Sequence, residues 1–246
     1  MRGISLCHKL AGIFLLASFA FAPLQADAAR KHNARKKGYE RLFDGKTLKG
    51  WKGLVENPIV RAQMSADELN AAQAKADSLM RRNWIVENGC IAYIGNGWDN
   101  LCTVQDYGDF EMLVDWCLDP NGHEPDAGIY LRGTPQVQIW DIRRTNVGAQ
   151  VGSGGLYNNQ KNQSTPLSVQ DKPLGEWNSF RIVMRGEKVT VWFNGVLVVD
   201  NIPLENYWDR SQPIFPTGQI ELQAHGCKCW FRNIYVRKLT ASLRSE

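Results

Sequence analysis

The chain has 246 residues, 43% of them hydrophobic and 22% charged, and a formal net charge of +4. This balance excludes a disordered or fibrous chain. A multi-span membrane protein is excluded too, because no apolar run outside the N-terminus reaches the roughly 18 residues that a span needs. The nine Trp and 22 Gly are typical of a β-sandwich or barrel, in which aromatic strands alternate with glycine turns.

The N-terminus has the pattern of a secretory signal peptide. Arg2 and Lys9 form a charged start, an apolar run follows over residues 10–23, and Ala26-Asp27-Ala28 supplies the small residues of a cleavage site. We therefore predict a signal peptide at residues 1–28 and export to the periplasm or outside the cell. The alternative is an uncleaved anchor, which is disfavoured because the run is short for a membrane span.

A basic leader is predicted at residues 29–41, followed by one domain at residues 42–246. Eight basic and two acidic residues precede Leu42, which leaves 21 basic and 23 acidic residues in the domain. The domain is therefore nearly neutral. No segment of it interleaves basic with aromatic residues, so we predict no nucleic-acid partner.

Five cysteines follow the predicted signal peptide, an odd number that leaves at least one thiol free or paired between molecules. Cys90 and Cys102 flank a turn at residues 95–97 and are placed to face each other across it. The cysteines lack paired C-x-x-C spacing and a companion histidine cluster, so we predict no zinc site.

One long helix is predicted, over residues 65–82. Ser65-Ala66-Asp67-Glu68 forms a capping box, and the apolar residues that follow recur at helical spacing. Its alanine-rich face is expected to pack on the rim of a sheet.

The rest of the domain is predicted to be β-structure. Asn194-Gly195 between two apolar runs is a strong hairpin signal. About a dozen short strands, without a β-helix-β rhythm, favour an antiparallel two-sheet sandwich. The clearest predicted strands cover residues 84–89, 90–94, 110–116, 128–132, 136–140, 180–184, 189–193, 196–199, 219–225 and 230–236.

Strand alternation sorts these residues onto two faces. If the strands share a sheet, one face carries a set of polar and aromatic groups that suits a sugar and includes an acid/base group. This set comprises Asp115, Tyr130, Arg132, Gln136, Gln138, Trp140, Glu221, Gln223 and His225. The segment 152–160 is interpreted as a rim loop carrying Tyr157 and Asn159 over that face, because it lacks the ending of a phosphate-binding loop.

Each member of the set also has a structural interpretation. His225 alone is more often a hydrogen-bonded structural histidine, Arg132 alone is a salt-bridge partner for Asp115, and Trp140 alone is a packing residue. The chain has no nucleophile-elbow motif and no paired glucanase carboxylates. Simple hydrolysis through two carboxylates is therefore disfavoured.

An ordered set of motifs resembles the 3-keto-disaccharide hydrolase family, also described as 3-keto-glycoside 1,2-lyase/3-keto-2-hydroxyglucal hydratase domains. The resemblance spans residues 42–239. It rests on Leu42-Phe43-Asp44-Gly45 with Gly50-Trp51, Tyr107-Gly108-Asp109-Phe110, the segment 128–133, Gly175-Glu176-Trp177-Asn178, Asn194-Gly195, the segment 205–210, the segment 222–226 and Phe231-Arg232-Asn233-Ile234. It implies an all-β, concanavalin-A-like jelly-roll sandwich with one inserted helix.

The resemblance also implies an enzyme that acts on sugars already oxidised at C3. A ketone at C3 acidifies the C2 proton, so that a base can remove it and the C1 substituent can leave by β-elimination, with hydration of the glycal giving net hydrolysis. His225 is hypothesised as the acid/base, because the ordinary pKa of histidine suits proton transfer near neutrality. Arg132 would stabilise developing negative charge, and Asp115 would orient a partner or act as a second acid/base.

Substrate contacts are expected from the remaining candidates, which are Gln138, Trp140, Gln223, Tyr157, Asn159 and Tyr130. No cofactor is predicted; a divalent ion held by Asp115 and His225 is an alternative that no ligand cluster supports. The implied partners are a 3-keto-glycoside substrate and a sugar C3 oxidoreductase. The rival hypothesis is a secreted carbohydrate-binding module without turnover on the same fold, and an adhesion or scaffold domain is a third.

Overall fold

The structure, a computed structural model, describes residues 38–240. The predicted signal peptide and residues 29–37 of the predicted leader lie outside the described residues. Glu40 and Arg41, the last two residues of that leader, form the first strand.

The described chain contains thirteen strands and two α-helices. The helices are α1 (Pro58–Gln63) and α2 (Ala66–Asn83). The strands are β1 (Glu40–Arg41), β2 (Trp51–Gly53), β3 (Trp84–Glu87), β4 (Cys90–Tyr93), β5 (Leu101–Thr103), β6 (Phe110–Leu118), β7 (Asp126–Leu131), β8 (Thr134–Trp140), β9 (Asn178–Arg185), β10 (Lys188–Phe193), β11 (Val196–Pro203), β12 (Glu221–Leu222) and β13 (Cys229–Lys238).

These strands form two antiparallel sheets. The larger, eight-stranded sheet has the order β11-β10-β9-β6-β13-β4-β3, with β1 beside β13. The smaller sheet has the order β2-β5-β12-β7-β8. This arrangement confirms the predicted all-β sandwich with an inserted helix. The predicted strand over residues 219–225 is shorter than expected, since only Glu221 and Leu222 have ladder geometry.

Strand alternation places the apolar side chains between the sheets. From the larger sheet, Phe110, Met112 and Val114 are buried in one core cluster with Phe180 and Phe231. From the smaller sheet, that cluster receives the apolar residues Leu101, Ala127, Ile129, Leu131, Val137, Ile139 and Leu222. Burying two opposed apolar faces is the main stabilisation available to a sandwich.

Helix α2 begins as the sequence predicts. The Ser65 hydroxyl accepts a hydrogen bond from the Glu68 backbone N–H, and the Glu68 carboxylate accepts one from the Ser65 backbone N–H. The short helix α1 was not predicted. It begins after Asn57, whose side chain accepts from the N–H groups of Ile59 and Val60, so α1 also carries a standard N-cap.

Helix α2 closes the free edge of β2, the edge strand of the smaller sheet. The Asp77 carboxylate accepts from the Gly53 backbone N–H at 3.0 Å, and the Gln73 side chain donates to the Gly53 carbonyl at 2.8 Å. Two helix side chains thus satisfy edge groups that would otherwise be open to pairing with another chain. The predicted packing of this helix on the rim of a sheet is confirmed.

All five cysteines of the described range are buried free thiols. The expectation that Cys90 and Cys102 face each other is wrong, because Cys90 lies on β4 of the larger sheet and Cys102 on β5 of the smaller one. The turn between them therefore connects two sheets, and the residues that flank it do not face each other.

Close packing of α2 on β2 makes the absence of a side chain at Gly53 a stability determinant. A Cβ at this position would lie 2.3 Å from the Ala76 carbonyl oxygen, so Gly53→Ala must displace the helix. We expect this variant to lower the free energy of unfolding by about 1–3 kcal/mol, measured by urea denaturation. Gly108→Ala is the matched control, since its Cβ would meet no atom closer than 3.6 Å. Equal stability of the two variants would contradict the packing argument.

Candidate functional site

The outer face of the smaller sheet is polar, because its strands send their apolar side chains into the core. Glu221 of β12 lies opposite Tyr130 of β7 and Cys102 of β5 in the strand register. Further along the same face, β7 and β8 contribute Asp126 and Gln138. The outer face of the smaller sheet therefore carries side chains that can form hydrogen bonds, and two of them, Glu221 and Asp126, can ionise.

A cleft of about 390 Å³ lies over one part of this outer face. Trp98 stands at its edge with 69% of its surface exposed. On the other side, the Trp208 indole N–H donates to the Gly133 carbonyl at 2.7 Å, which fixes the ring. The cleft is lined by Leu54, Glu56, Asn57, Pro58, Trp98, Asn100, Tyr130, Trp208, Glu221, Gln223 and Ala224.

Glu221 is the most perturbed acid of the cleft. Its side chain is almost fully buried, and this burial raises the pKa of Glu221 to about 7. A hydrogen bond from Asn100 and the charge of Arg61 oppose that shift. The Asn100 amide N–H donates to Glu221 Oε2 at 3.2 Å, while its oxygen accepts from the Ala224 backbone N–H. A carboxyl with a pKa near neutrality can both take up and release a proton.

Tyr130 lies beside Glu221 and lines the same cleft. Burial, together with the nearby Glu221 carboxyl, raises the pKa of the Tyr130 phenol. The phenol therefore stays protonated at neutral pH. It is available as a hydrogen-bond donor to an oxygen that becomes negative.

A second cluster of ionisable side chains, comprising His225, Asp126 and Arg144, lies on this face. Nδ1 of His225 lies 4.0 Å from Oδ2 of Asp126. Asp126 accepts hydrogen bonds from Gln138 at 2.8 Å and from Arg144 at 3.1 Å. Burial raises the pKa of Asp126, and the charges of His225 and Arg144 oppose this shift. The ring of Trp98 contacts the His225 ring with centroids 4.0 Å apart, so His225 lies next to a residue of the cleft lining.

Gln223 lies between Glu221 and His225 in the sequence and on the same face. Its Oε1 is buried and has no hydrogen-bond partner among residues 38–240. A Cβ on Gly128 would lie only 2.8 Å from this oxygen, so the glycine makes room for it. Gln223 therefore keeps an unpaired acceptor in the cleft lining.

The prediction that Asp115 shares a face with His225 is wrong. Asp115 lies on β6 of the larger sheet, on the face opposite its buried neighbours Val114 and Trp116. Its carboxylate accepts from Asn233 at 2.7 Å and lies 3.5 Å from the Arg232 guanidinium. Asp115 and His225 therefore cannot hold one ion together. Among the described residues, no group of three His, Cys, Asp or Glu could hold a metal.

The predicted placement of Arg132 on the polar face is also wrong. β7 ends at Leu131, and Arg132 forms a turn with a φ of +54°, so strand alternation does not apply to it. Its guanidinium is buried, pairs with Asp109 at 2.7 Å and donates to the Gly108 carbonyl. Its partner is thus Asp109 and not Asp115.

The candidate substrate contacts separate into two groups. Tyr130, Gln138 and Gln223 lie on the polar face, as predicted. Asn159 instead connects backbone segments. Its side-chain amide donates to the carbonyls of Gln163 and Pro203, and its side-chain oxygen accepts from the Glu205 N–H. Trp140 ends β8 opposite Asp126 in the register, on the polar face as predicted. Its ring contacts that of Tyr157 with centroids 5.0 Å apart, and neither residue lines the cleft.

Strand alternation predicts Glu221 on the polar face, but no catalytic or binding role was predicted for it. The sequence did not mark the other new residues of the site. Asp126 precedes the predicted strand, and Trp98, Asn100, Arg144 and Trp208 come from loops. No periodic pattern marks a loop residue as part of a cleft.

The profile of a known family, described as the 3-keto-alpha-glucoside-1,2-lyase-like domain, matches residues 38–237. The chain belongs to this family. The sequence-based recognition is therefore confirmed, and with it a carbohydrate-active domain. The match covers all thirteen strands except the last residue of β13, so the polar face and its cleft lie within the family domain.

Among characterised relatives, the chain is 24% identical to a protein named 3-keto-disaccharide hydrolase from Bacteroides thetaiotaomicron, over 82% of this chain and 79% of the relative. A crystal structure from Parabacteroides distasonis, described as a candidate glycosyl hydrolase, has a TM-score of 0.60 at 23% identity, covering 85% of this chain and 97% of that one. A second structure from the same organism with the same description has a TM-score of 0.56 at 21% identity, covering 82% and 99%. These structures share the fold of this family member.

Within residues 38–240, no helix has both the length and the hydrophobicity to cross a membrane.

The buried Glu221 carboxyl makes the stability of the domain depend on pH. The unfolded chain releases this proton near pH 4.5, whereas the folded domain retains it up to about pH 7. Stability should therefore fall as pH rises through this window, by up to about 3 kcal/mol. We expect Glu221→Gln to be more stable than the wild type at pH 8 and equally stable at pH 4, in urea denaturation.

Glu187→Gln provides the control for this comparison, because Glu187 is exposed on the turn between β9 and β10. The difference in unfolding free energy between Glu187→Gln and the wild type should be the same at pH 4 and pH 8. If Glu221→Gln behaves like this control, burial does not hold the proton on Glu221.

Proposed function

We propose that this family member cleaves 3-keto-glycosides by removing the proton at C2 and eliminating the C1 substituent, with hydration of the resulting glycal completing a net hydrolysis. The family membership supports a 3-keto-glycoside as the substrate class. The observation that carries the proposal is Glu221, a carboxyl with a pKa of about 7 on the floor of a cleft, beside the Tyr130 phenol.

Glu221 is the proposed base at C2. Its ionised form takes the C2 proton, and the electron pair of the C–H bond moves toward the C3 ketone, whose oxygen becomes negative. A donor must stabilise that oxygen in the transition state. Tyr130 lies next to Glu221 in the register and remains protonated, so its phenol is the proposed donor. Tyr130 thus takes the role that the family resemblance implies for Arg132.

His225 is the proposed acid for the leaving oxygen. When the C1–O bond breaks, the enolate electrons form the C1=C2 double bond, the C3 ketone is restored and the departing oxygen takes a proton. Glu221 and His225 are four positions apart in the sequence, with Gln223 between them. We propose that the sugar ring lies between the two side chains. Asp126 would orient the imidazole, and Gln138 and Arg144 would hold Asp126.

Trp98 is the proposed platform for the sugar. An indole exposed over 69% of its surface loses more water on ligand binding than any of the buried aromatic rings. The C–H face of a pyranose is apolar and suits an aromatic surface. The same feature favours the second candidate function, a carbohydrate-binding module without turnover.

The proposed elimination needs no redox cofactor, because the oxidation at C3 precedes it. A sugar C3 oxidoreductase must therefore supply the substrate, and such an enzyme is the proposed functional partner. We also propose export to the periplasm or the cell exterior, on the strength of the signal-peptide pattern in residues 1–28. N-terminal sequencing of the exported protein would test it; a mature chain that still begins with Met1 would contradict cleavage.

The purified protein should release glucose from 3-keto-trehalose or 3-keto-lactose, with a transient enone absorbance. Glu221→Gln should lower kcat/KM by about 10²–10⁴-fold, the usual contribution of a general acid or base. Because the ionised carboxylate is the base, kcat/KM of the wild type should rise with pH through about 7. Saturable binding of the keto sugar without release would instead establish a binding module.

Two aspartates provide a matched comparison for the role of His225. We expect Asp126→Asn to lower kcat/KM by at least about tenfold, because it weakens the orientation of a general acid/base. Asp115→Asn, on the outer face of the other sheet, should leave kcat/KM within about twofold of the wild type. His225→Ala with full activity would exclude the proposed acid.

A further inference from the structure

A second cavity lies apart from the cleft, at the end of the sandwich beyond β8. Its volume is about 330 Å³, near the lower end of the range of about 300–1,000 Å³ for ligand pockets. It shares no lining residue with the cleft over Glu221. Its walls include apolar side chains, among them Leu118, Ile142, Pro173 and Leu174.

Three residues of this lining carry buried polar atoms that make no hydrogen bond within the described part of the chain. The indole N–H groups of Trp116 and Trp140 are buried and have no acceptor. Both side chains are at least nine-tenths buried, with 3% and 5% of their surfaces exposed. Buried donors without acceptors cost free energy, so a partner that enters from the cavity would be favoured.

Asp171, also of this lining, adds an unpaired acceptor. Its Oδ2 accepts from the Ser153 backbone N–H at 3.0 Å, whereas its Oδ1 is buried without a partner among residues 38–240. Nearby cations are engaged elsewhere: Arg143 pairs with Asp141, and the Lys172 ammonium donates to the Trp177 carbonyl. Asp171 is thus an acceptor without a counter-cation.

The three groups are held in place by the fold. Trp116 packs against Phe180 and Phe193 in the core, with ring centroids 5.5 and 5.7 Å apart. The Ser153 hydroxyl accepts from the Trp140 backbone N–H, and the Ser153 N–H binds Asp171. One serine therefore links the strand that carries Trp140 to the loop that carries Asp171. A site fixed in this way needs little reorganisation to bind a ligand.

We propose that this end cavity is a second carbohydrate site that binds one neutral sugar ring. A sugar hydroxyl is both acceptor and donor, so it can accept from an indole N–H of Trp116 or Trp140 and donate to Asp171. The ring's apolar C–H groups face the aliphatic walls. An anion is disfavoured by the Asp171 and Asp141 carboxylates, and an alkyl ligand would leave the two donors and the acceptor unpaired.

The site is tested by glucose binding to the full-length protein, measured by isothermal titration calorimetry and by a crystal soak. We expect a glucose ring in the end cavity. Asp171→Asn should weaken binding at least about tenfold, because it replaces the open acceptor with an amide donor. Trp116→Phe, which keeps a six-membered aromatic ring and removes the pyrrole ring with its N–H, should weaken it as well.

Two further variants separate this site from the cleft. Trp192→Phe, which changes an indole under Arg181 on the outer face of the larger sheet, should bind glucose like the wild type. Glu221→Gln should also bind glucose in the end cavity whether or not the proposed lyase activity exists. Ordered water alone in the cavity of the soaked crystal, or glucose binding that Glu221→Gln abolishes and Asp171→Asn retains, would overturn the proposal.

Discussion

The alternation of side chains across the five-stranded sheet determines both the core and the cleft. On β12, Leu222 enters the core while the adjacent Glu221 forms the cleft floor. On β7, Ile129 and Tyr130 divide in the same way. A one-residue shift in register would move carboxyl and phenol into the core and apolar side chains into the cleft. The hydrophobic core therefore fixes the register of the site, and no separate interaction is needed to align its acids and donors.

Burial gives the two acids of this face different properties. Glu221 has one amide donor and a more distant arginine, so desolvation dominates and its pKa rises to about 7. Asp126 is also desolvated, but it accepts from Gln138 and pairs with Arg144 and His225. The contacts of Asp126 suit a residue that orients an imidazole, whereas the isolation of Glu221 suits a residue that exchanges a proton. Two carboxyls on one sheet thus acquire different roles from their neighbours.

The sequence predicts the elements that depend on local patterns. Period-two alternation located the long strands, the capping box located α2 within one residue, and an ordered set of motifs identified the family. The pattern could not assign strands to sheets, because the apolar face of β6 looks the same in either layer. This is why Asp115 was placed with His225. Arg132 is misplaced for a related reason. The alternating pattern predicts a strand through residue 132, whereas β7 ends at Leu131. Trp98 and Asn100 reach the cleft through a loop, where contacts depend on the tertiary fold.

The contrast between the outer faces of the two sheets explains why the cleft face is the better candidate for binding. On the larger sheet, the charged side chains pair with one another, although the buried Nε atoms of Arg232 and Arg237 make no hydrogen bond within residues 38–240. Glu111 pairs there with Arg181 and Arg237. Arg232 covers the ring of Trp177, and Asn233 donates to Asp115. A ligand there would have to replace contacts that already exist. On the smaller sheet, Gln223 keeps an acceptor without a partner and Trp98 keeps an exposed ring. Groups that the fold leaves unsatisfied can gain free energy from a ligand, and both residues line the cleft that contains Glu221, whose pKa burial raises to about 7.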